Sequence, residues 1–202
     1  MKWGSVVLLC FDPEDAVCFN SAMLWRKRYS IPDTHAFFFS ESLRVLAGYQ
    51  PVALGCMSAV VTPLTKLIII GHGNSRLAAS MPVQRFARHM INYGAHQAGL
   101  MSIKCCQVGA GQFLNELSVL LPLVSWFVAP QGATTTKSIG GVTHDIVTTA
   151  GDFRDELLHD AGRKLSDKER VTIVQGKGGS YPLFKSKRYR DNKGKKEGCV
   201  IS

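Results

Sequence analysis

The sequence lacks a long apolar run, a paired cysteine motif and a phosphate-binding loop. Its apolar stretches are all shorter than the roughly 18 residues that a membrane-spanning helix needs. None of the 6 cysteines forms a Cys-x-x-Cys pair, so neither a zinc finger nor a dithiol redox motif is predicted, and we expect free thiols in a reducing compartment. The Gly-x-x-x-x-Gly-Lys-Ser/Thr loop is also missing, which excludes a Ras-like GTPase.

Composition indicates one folded domain followed by a charged tail. The chain has 202 residues with 46% hydrophobic content, enough for a single well-buried core. Of the net charge of +9, residues 185–202 contribute seven positive and two negative charges, or +5, which leaves +4 for the remainder. That remainder has no aromatic-basic interleaving, so no nucleic-acid partner is predicted. We predict a folded domain at 1–184 and a disordered polybasic tail at 185–202.

The tail ends in Cys199-Val200-Ile201-Ser202, a CaaX pattern typical of prenylation at Cys199 by a eukaryotic prenyltransferase. One isoprenoid chain anchors a protein only marginally, so a second attachment signal is normally required. A basic run provides it, because lysine and arginine are attracted to an anionic membrane surface. The residues of this expected membrane-binding tail are Lys185, Lys187, Arg188, Arg190, Lys193, Lys195 and Lys196.

Apolar runs and amphipathic segments alternate along the first 128 residues. The predicted strands are Ser5–Phe11, Ala36–Phe39, Leu67–Ile70, Leu100–Cys105 and Val124–Val128, and the predicted helices are Pro13–Arg28, Pro82–Tyr93 and Gln112–Leu121. Weaker patterns predict strands at Val52–Leu54 and Val142–Thr149, helices at Ser40–Ala47 and Asp152–Lys164, and a hairpin from Arg170–Gln175 and Tyr181–Phe184. Alternating strands and helices with short connections favour an α/β sandwich with a mainly parallel sheet.

Two chemically versatile side chains follow two of these strands. His72 lies between Gly71 and Gly73, and Cys106 follows Cys105 after the next long strand. Because ligands bind at the carboxyl ends of parallel strands, we expect imidazole and thiol to lie at one edge of the sheet. His72 could then accept a proton from Cys106, while the backbone N–H groups of Gly73 and Cys106 form an oxyanion hole. A cysteine that serves only for packing is the alternative.

A strand ending in His-Gly, a helix, and a strand ending in Cys-Cys-x-x-Gly resemble the caspase-like cysteine peptidases. In that pattern the second cysteine is the nucleophile, which favours Cys106 over Cys105. Across residues 1–185 the order of segments most resembles the self-cleaving cysteine peptidase domain of RTX-type and glucosylating bacterial toxins. The resemblance implies a three-layer α/β sandwich with a mainly parallel, caspase-like sheet and a C-terminal β-hairpin. It also implies a thioester intermediate and a substrate pocket formed partly by the segment after Trp126.

The toxin resemblance further implies inositol hexakisphosphate as a host activator, with no other cofactor required. Candidate cations for this anion are Arg26, Lys27, Arg28, Lys185 and Lys187. The remaining histidines, His89, His96 and His144 among them, lack ligand spacing to a second donor, so no metal site is predicted.

Together, the toxin-like body and the eukaryotic lipidation box predict a bacterial effector secreted into a host cell. There it would be prenylated and would cut a host protein at the cytoplasmic face of a membrane. A non-enzymatic prenylated adaptor with the same fold is the main alternative. Deamidation or transglutamination is another, although those enzymes usually place cysteine before histidine in the chain. Asp145, Glu116 and Asn74 are unranked candidates for a third group that orients His72.

Overall fold

The computed structural model describes residues 3–39, 47–139, 142–148 and 171–177. These form an α/β sandwich with helices on both faces of a seven-stranded, mostly parallel sheet, and a separate two-stranded sheet. The elements are β1 (Ser5–Phe11), α1 (Ala16–Tyr29), β2 (Ala36–Phe39), β3 (Gln50–Pro51), β4 (Thr65–Ile70), α2 (Val83–Asn92), β5 (Leu100–Lys104), α3 (Phe113–Leu120), β6 (Trp126–Pro130), β7 (Ala133–Ile139), β8 (Val142–Thr148) and β9 (Val171–Gln175). The predicted α/β class and three-layer sandwich are confirmed.

Strand order places a topological switch point between β1 and β4. The order across the large sheet is β3-β2-β1-β4-β5-β6-β9, and every neighbouring pair is parallel except β6 and β9. The chain leaves β1 toward β2 on one side, whereas it leaves β4 toward β5 on the other. Adjacent strands whose connections diverge form a topological switch point, where α/β proteins usually bind ligands.

The central strands are apolar on both faces, as expected for a parallel sheet covered by helices. In β4, Leu67 and Ile69 belong to the core cluster that includes α2 and α3. Ile68 and Ile70 belong to the cluster on the α1 side. Burying each such side chain stabilises the fold by about 1.5–3 kcal/mol. The alternation also fixes which face the residues just beyond each strand can reach.

Predictions at the edges of the large sheet need correction. The strand expected at Val52–Leu54 is wrong, since the structure places a two-residue strand at Gln50–Pro51, paired with Phe37 and Phe38 of β2. Both residues of β3 are exposed, so this edge strand has no apolar pattern that would reveal it, and an edge tolerates proline.

The C-terminal strand is present, but its observed partner is not the expected one. Val171–Gln175 is a strand that pairs antiparallel with β6, and the expected hairpin partner, Tyr181–Phe184, lies outside the described residues. The strand predicted at Val142–Thr149 is confirmed as β8, which forms a hairpin with β7. The helices predicted at Ser40–Ala47 and Asp152–Lys164, apart from Ala47, and the tail at 185–202 also lie outside the described residues. Within the described part, each helix is too short or too polar to cross a bilayer.

Candidate functional site

The turn between β1 and α1 brings a carboxylate to the topological switch point between β1 and β4. Asp12 has a left-handed backbone, with φ of 57°, and its carbonyl accepts a hydrogen bond of 3.0 Å from the Asp15 amide. Asp15 then caps α1, because its Oδ1 accepts hydrogen bonds of 2.9 Å from both Val17 N and Cys18 N. These contacts fix the Asp15 carboxylate at the carboxyl end of β1, one side of the switch point.

His72 and Cys106 occupy equivalent positions after neighbouring strands. β4 and β5 are parallel and pair Ile70 with Lys104, so each functional residue lies two positions beyond the paired strand ends. Cys105 points into the core shared with α2 and α3. Alternation then directs Cys106 to the α1 side, the side on which Ile70 packs and on which His72 follows two residues later. Both side chains therefore lie on the same face at the same edge of the sheet.

The imidazole of His72 faces the cap of α1. Its Nε2 lies 3.5 Å from Asp15 Oδ1, and the His72 side chain is 54% exposed. The pKa of Asp15 is lowered, first by the hydrogen bond from the Cys18 amide and further by the nearby His72. Asp15 is thus an anion at neutral pH, able to accept a hydrogen bond from the imidazole and to orient it.

Asp15 lies beside His72, where a group could orient the imidazole. For this role the sequence analysis had suggested three other residues. Asn74 uses its Oδ1 for two backbone hydrogen bonds of 2.8 and 3.0 Å within its own turn. Glu116 lies on α3, which packs on the opposite face of the sheet from α1. Asp145 lies on β8, in the separate two-stranded sheet. The signal that could have found Asp15 is an aspartate at a helix start directly after a predicted strand.

Cys106 contacts the chain segment that follows β6. Its Sγ accepts a hydrogen bond from Thr134 N at 3.4 Å and donates one to Thr134 O at 3.7 Å. The next residue, Gln107, is left-handed with φ of 58°, and its amide donates to Gly132 O at 2.9 Å. Gly109 is required in this loop because a Cβ there would lie 2.6 Å from a backbone oxygen of β6. The segment after Trp126, where the resemblance implied a substrate pocket, therefore borders the Cys106 loop.

The two adjacent cysteines have different environments. Cys105 is completely buried, and desolvation raises the pKa of its thiol to about 12, so it is protonated at neutral pH. Cys106 is partly exposed. Because the thiolate is the nucleophilic form and substrate must reach it, this contrast favours Cys106 as the reactive thiol.

Gly73 and Cys106, the residues expected to form an oxyanion hole, follow the neighbouring strands β4 and β5. A Cβ at Gly73 would lie 2.7 Å from Cys105 Cβ and 2.7 Å from Leu77 O, so no side chain fits there. In the part of the chain that the structure describes, the amides of Gly73 and Cys106 donate no backbone hydrogen bond. The oxyanion hole formed by these two N–H groups stays a prediction.

The cations considered for an activator are only partly placed. Arg26 pairs with Asp33 and donates to backbone carbonyls near its own helix end. Arg28 lies over the Trp25 ring at 4.9 Å, and Lys27 is exposed. The tail lysines 185 and 187 lie outside the described residues, so the activator stays a prediction.

The prenylation residue Cys199 and the seven basic tail residues also lie outside the described part of the chain. No family model, curated protein or solved structure matches this chain.

Proposed function

We propose that the chain is a cysteine peptidase in which Cys106 is the nucleophile, His72 the general base and Asp15 the residue that positions His72. The observation that carries the proposal is the pairing of β4 and β5. This register supports the proposal, because His72 and Cys106 each follow by two residues the paired Ile70 and Lys104, next to the topological switch point. Asp15 adds a carboxylate 3.5 Å from the imidazole.

The reaction would proceed by acyl transfer. His72 accepts the proton of the Cys106 thiol, and the thiolate attacks the carbonyl carbon of a peptide bond. The N–H groups of Gly73 and Cys106 stabilise the resulting oxyanion. Protonated His72 then gives its proton to the leaving amine, which leaves a thioester on Cys106. A water molecule, deprotonated by His72, attacks the thioester and releases the carboxylic acid and the free thiol.

The proposal also includes a lipid anchor. The Cys199 box and the basic run before it support attachment to an anionic membrane surface after prenylation in a eukaryotic host. Attachment would raise the local concentration of substrates at that surface without any new contact. A bacterial effector that is prenylated in the host and cuts a host protein at a membrane would account for both the folded domain and the tail.

The reactivity of the Cys106 thiol tests the proposed dyad of Cys106 and His72 without a known substrate. Native protein at neutral pH is treated with iodoacetamide, and labelling of each cysteine is followed by peptide mass spectrometry. Cys56 is the internal control, because it is also free and partly exposed, and burial raises the pKa of its thiol. We expect Cys106 to react at least about tenfold faster than Cys56 in the wild type. His72→Ala should remove most of this difference.

Equal labelling of Cys106 and Cys56, or a rate at Cys106 that does not change in His72→Ala, would contradict the dyad and leave the adaptor as the function. The peptidase step is tested in eukaryotic cells that express wild type, Cys106→Ala or Cys199→Ser. New protein N termini at membranes should require Cys106, and their enrichment at membranes should require Cys199. Identical N termini in wild type and Cys106→Ala would refute proteolysis.

A further inference from the structure

Three side chains of metal-binding type converge beside the proposed dyad. Asp15 and Cys18 lie one turn apart at the start of α1, and His72 reaches them from the end of β4. One potential ligand atom from each lies within 4.8 Å of the other two. No local sequence pattern indicates this cluster, because its third member follows a strand that is distant in the chain.

We propose that Asp15, Cys18 and His72 form a binding site for one divalent ion of the zinc class. Zinc prefers nitrogen, sulfur and carboxylate ligands in tetrahedral geometry, which separates the ligand atoms by about 3.4 Å. His72 Nε2 and Asp15 Oδ1 are already 3.5 Å apart. The fourth position is filled by water, since the His72 side chain is 54% exposed.

The position of the Cys18 sulfur also supports the site. Cys18 is only 4% exposed and belongs to the apolar cluster on the α1 side, yet its sulfur lies within 4.8 Å of a carboxylate oxygen and an imidazole nitrogen. Asp15 Oδ1 both accepts the two cap hydrogen bonds and lies 3.5 Å from His72 Nε2, and a carboxylate has about four lone-pair sites on its two oxygens, so Asp15 can bind an ion and still cap α1.

The charges of the site balance those of the ion. On binding, the Cys18 thiol releases its proton to solvent and the thiolate sulfur coordinates the metal, with no change of oxidation state. Asp15 and the Cys18 thiolate together carry two negative charges, which neutralise a divalent cation. That neutralisation offsets the positive end of the α1 dipole, which on its own disfavours a cation there.

Metal binding would regulate the thiol. When Nε2 of His72 coordinates a metal, the remaining ring proton is on Nδ1, so neither nitrogen can accept the proton of Cys106 and the ion would block its activation reversibly. This regulatory part rests on the proposed peptidase dyad, whereas the binding itself does not. Cys106 is not a ligand of the ion, which allows the two ideas to be tested apart.

Binding of Co²⁺ to the full chain tests the site directly. Co²⁺ bound by a thiolate gives a near-ultraviolet charge-transfer absorption, and we expect it to saturate at one ion per chain and to disappear when Zn²⁺ is added. The absorption should be lost in Cys18→Ser. Asp15→Asn, which keeps the helix cap, should lower Zn²⁺ affinity at least about tenfold. Cys106→Ala should leave both absorption and affinity unchanged.

No cobalt absorption in the wild type, absorption that persists in Cys18→Ser, or absorption that vanishes in Cys106→Ala would each overturn the site. Regulation is read separately, from iodoacetamide labelling of Cys106 with and without Zn²⁺. Saturating Zn²⁺ should slow this labelling about tenfold, and removal of the metal with a chelator should restore it. Cobalt binding at the three residues without any change in labelling would refute the regulatory role. Failure of the dyad itself is visible already in the metal-free labelling.

Discussion

The Asp15 carboxylate caps α1, and we propose that it also positions His72. Substitution of Asp15 by alanine and by asparagine distinguishes these two roles. As the cap of α1 it accepts two hydrogen bonds of 2.9 Å, from Val17 N and Cys18 N. The first amide is exposed and can be hydrated if the cap is lost, but the second is partly buried and would lose much of its hydrogen bonding. Removing an aspartate cap costs about 0.5–2 kcal/mol, and the buried amide places this case in the upper half of that range.

We therefore expect Asp15→Ala to lower the free energy of unfolding by about 1–2 kcal/mol, and Tm by roughly 2–4 °C for each kcal/mol. Asp15→Asn should cost less than about 0.5 kcal/mol, because asparagine caps helices as well as aspartate does. Losing the charge next to the half-exposed His72 lowers the free energy of unfolding by at most about a few tenths of a kcal/mol more, because exposed ion pairs contribute little to stability. Labelling of Cys106 by iodoacetamide should nevertheless slow in both variants.

Urea denaturation followed by circular dichroism at neutral pH measures the stability of wild type and both variants. Equal losses for Ala and Asn would show that charge rather than capping matters, and no loss for Ala would refute the cap. The pH dependence gives a second check. Because the folded pKa of Asp15 is lowered, its contribution is complete above the unfolded pKa of about 3.9 and is lost as pH falls through the folded value.

Two further predictions concern the core. Burial raises the pKa of the Cys10 thiol to about 12, whereas an unfolded thiol titrates near about 8.5. Only the unfolded state then loses a proton from this thiol as pH rises above about 9, so the free energy of unfolding should fall by about 1.4 kcal/mol per pH unit. In urea denaturation at several alkaline pH values, the free energy of unfolding of Cys10→Ala should therefore fall less steeply with pH than that of the wild type. An equal slope would contradict the assignment. Ile69→Ala should cost about 2–5 kcal/mol by thermal denaturation because Ile69 is fully buried, whereas Leu54→Ala, at a side chain that is 85% exposed, should cost under about 0.5 kcal/mol; similar losses would refute this contrast.

Continuous apolar runs bounded by turn residues were the most informative local pattern. Ser5–Phe11 and Ala36–Phe39 are strands with the predicted bounds, since buried parallel strands need apolar side chains on both faces. The run Leu67–Ile70 likewise ends where the strand ends, which placed His72 at its carboxyl end. The positions of His72 and Cys106 relative to their strands therefore followed from local sequence.

Elements without an apolar pattern were not predictable in this way. The Thr-rich segment Ala133–Ile139 forms β7, whose backbone pairs with β8 and whose Thr134 contacts Cys106. Its strand character comes from cross-strand hydrogen bonds and packing against α1 rather than from alternation of apolar side chains. The short edge strand Gln50–Pro51 was missed for the same reason.

The sequence by itself determined the apolar strands of the large sheet, and that His72 and Cys106 follow the ends of two of them, because these properties depend on neighbouring residues. Only the tertiary structure decided that β4 lies between β1 and β5. That order brings the cap of α1, with Asp15 and Cys18, beside His72. Strand order depends on how whole faces pack against helices far apart in the chain, and no local pattern encodes such long-range contacts.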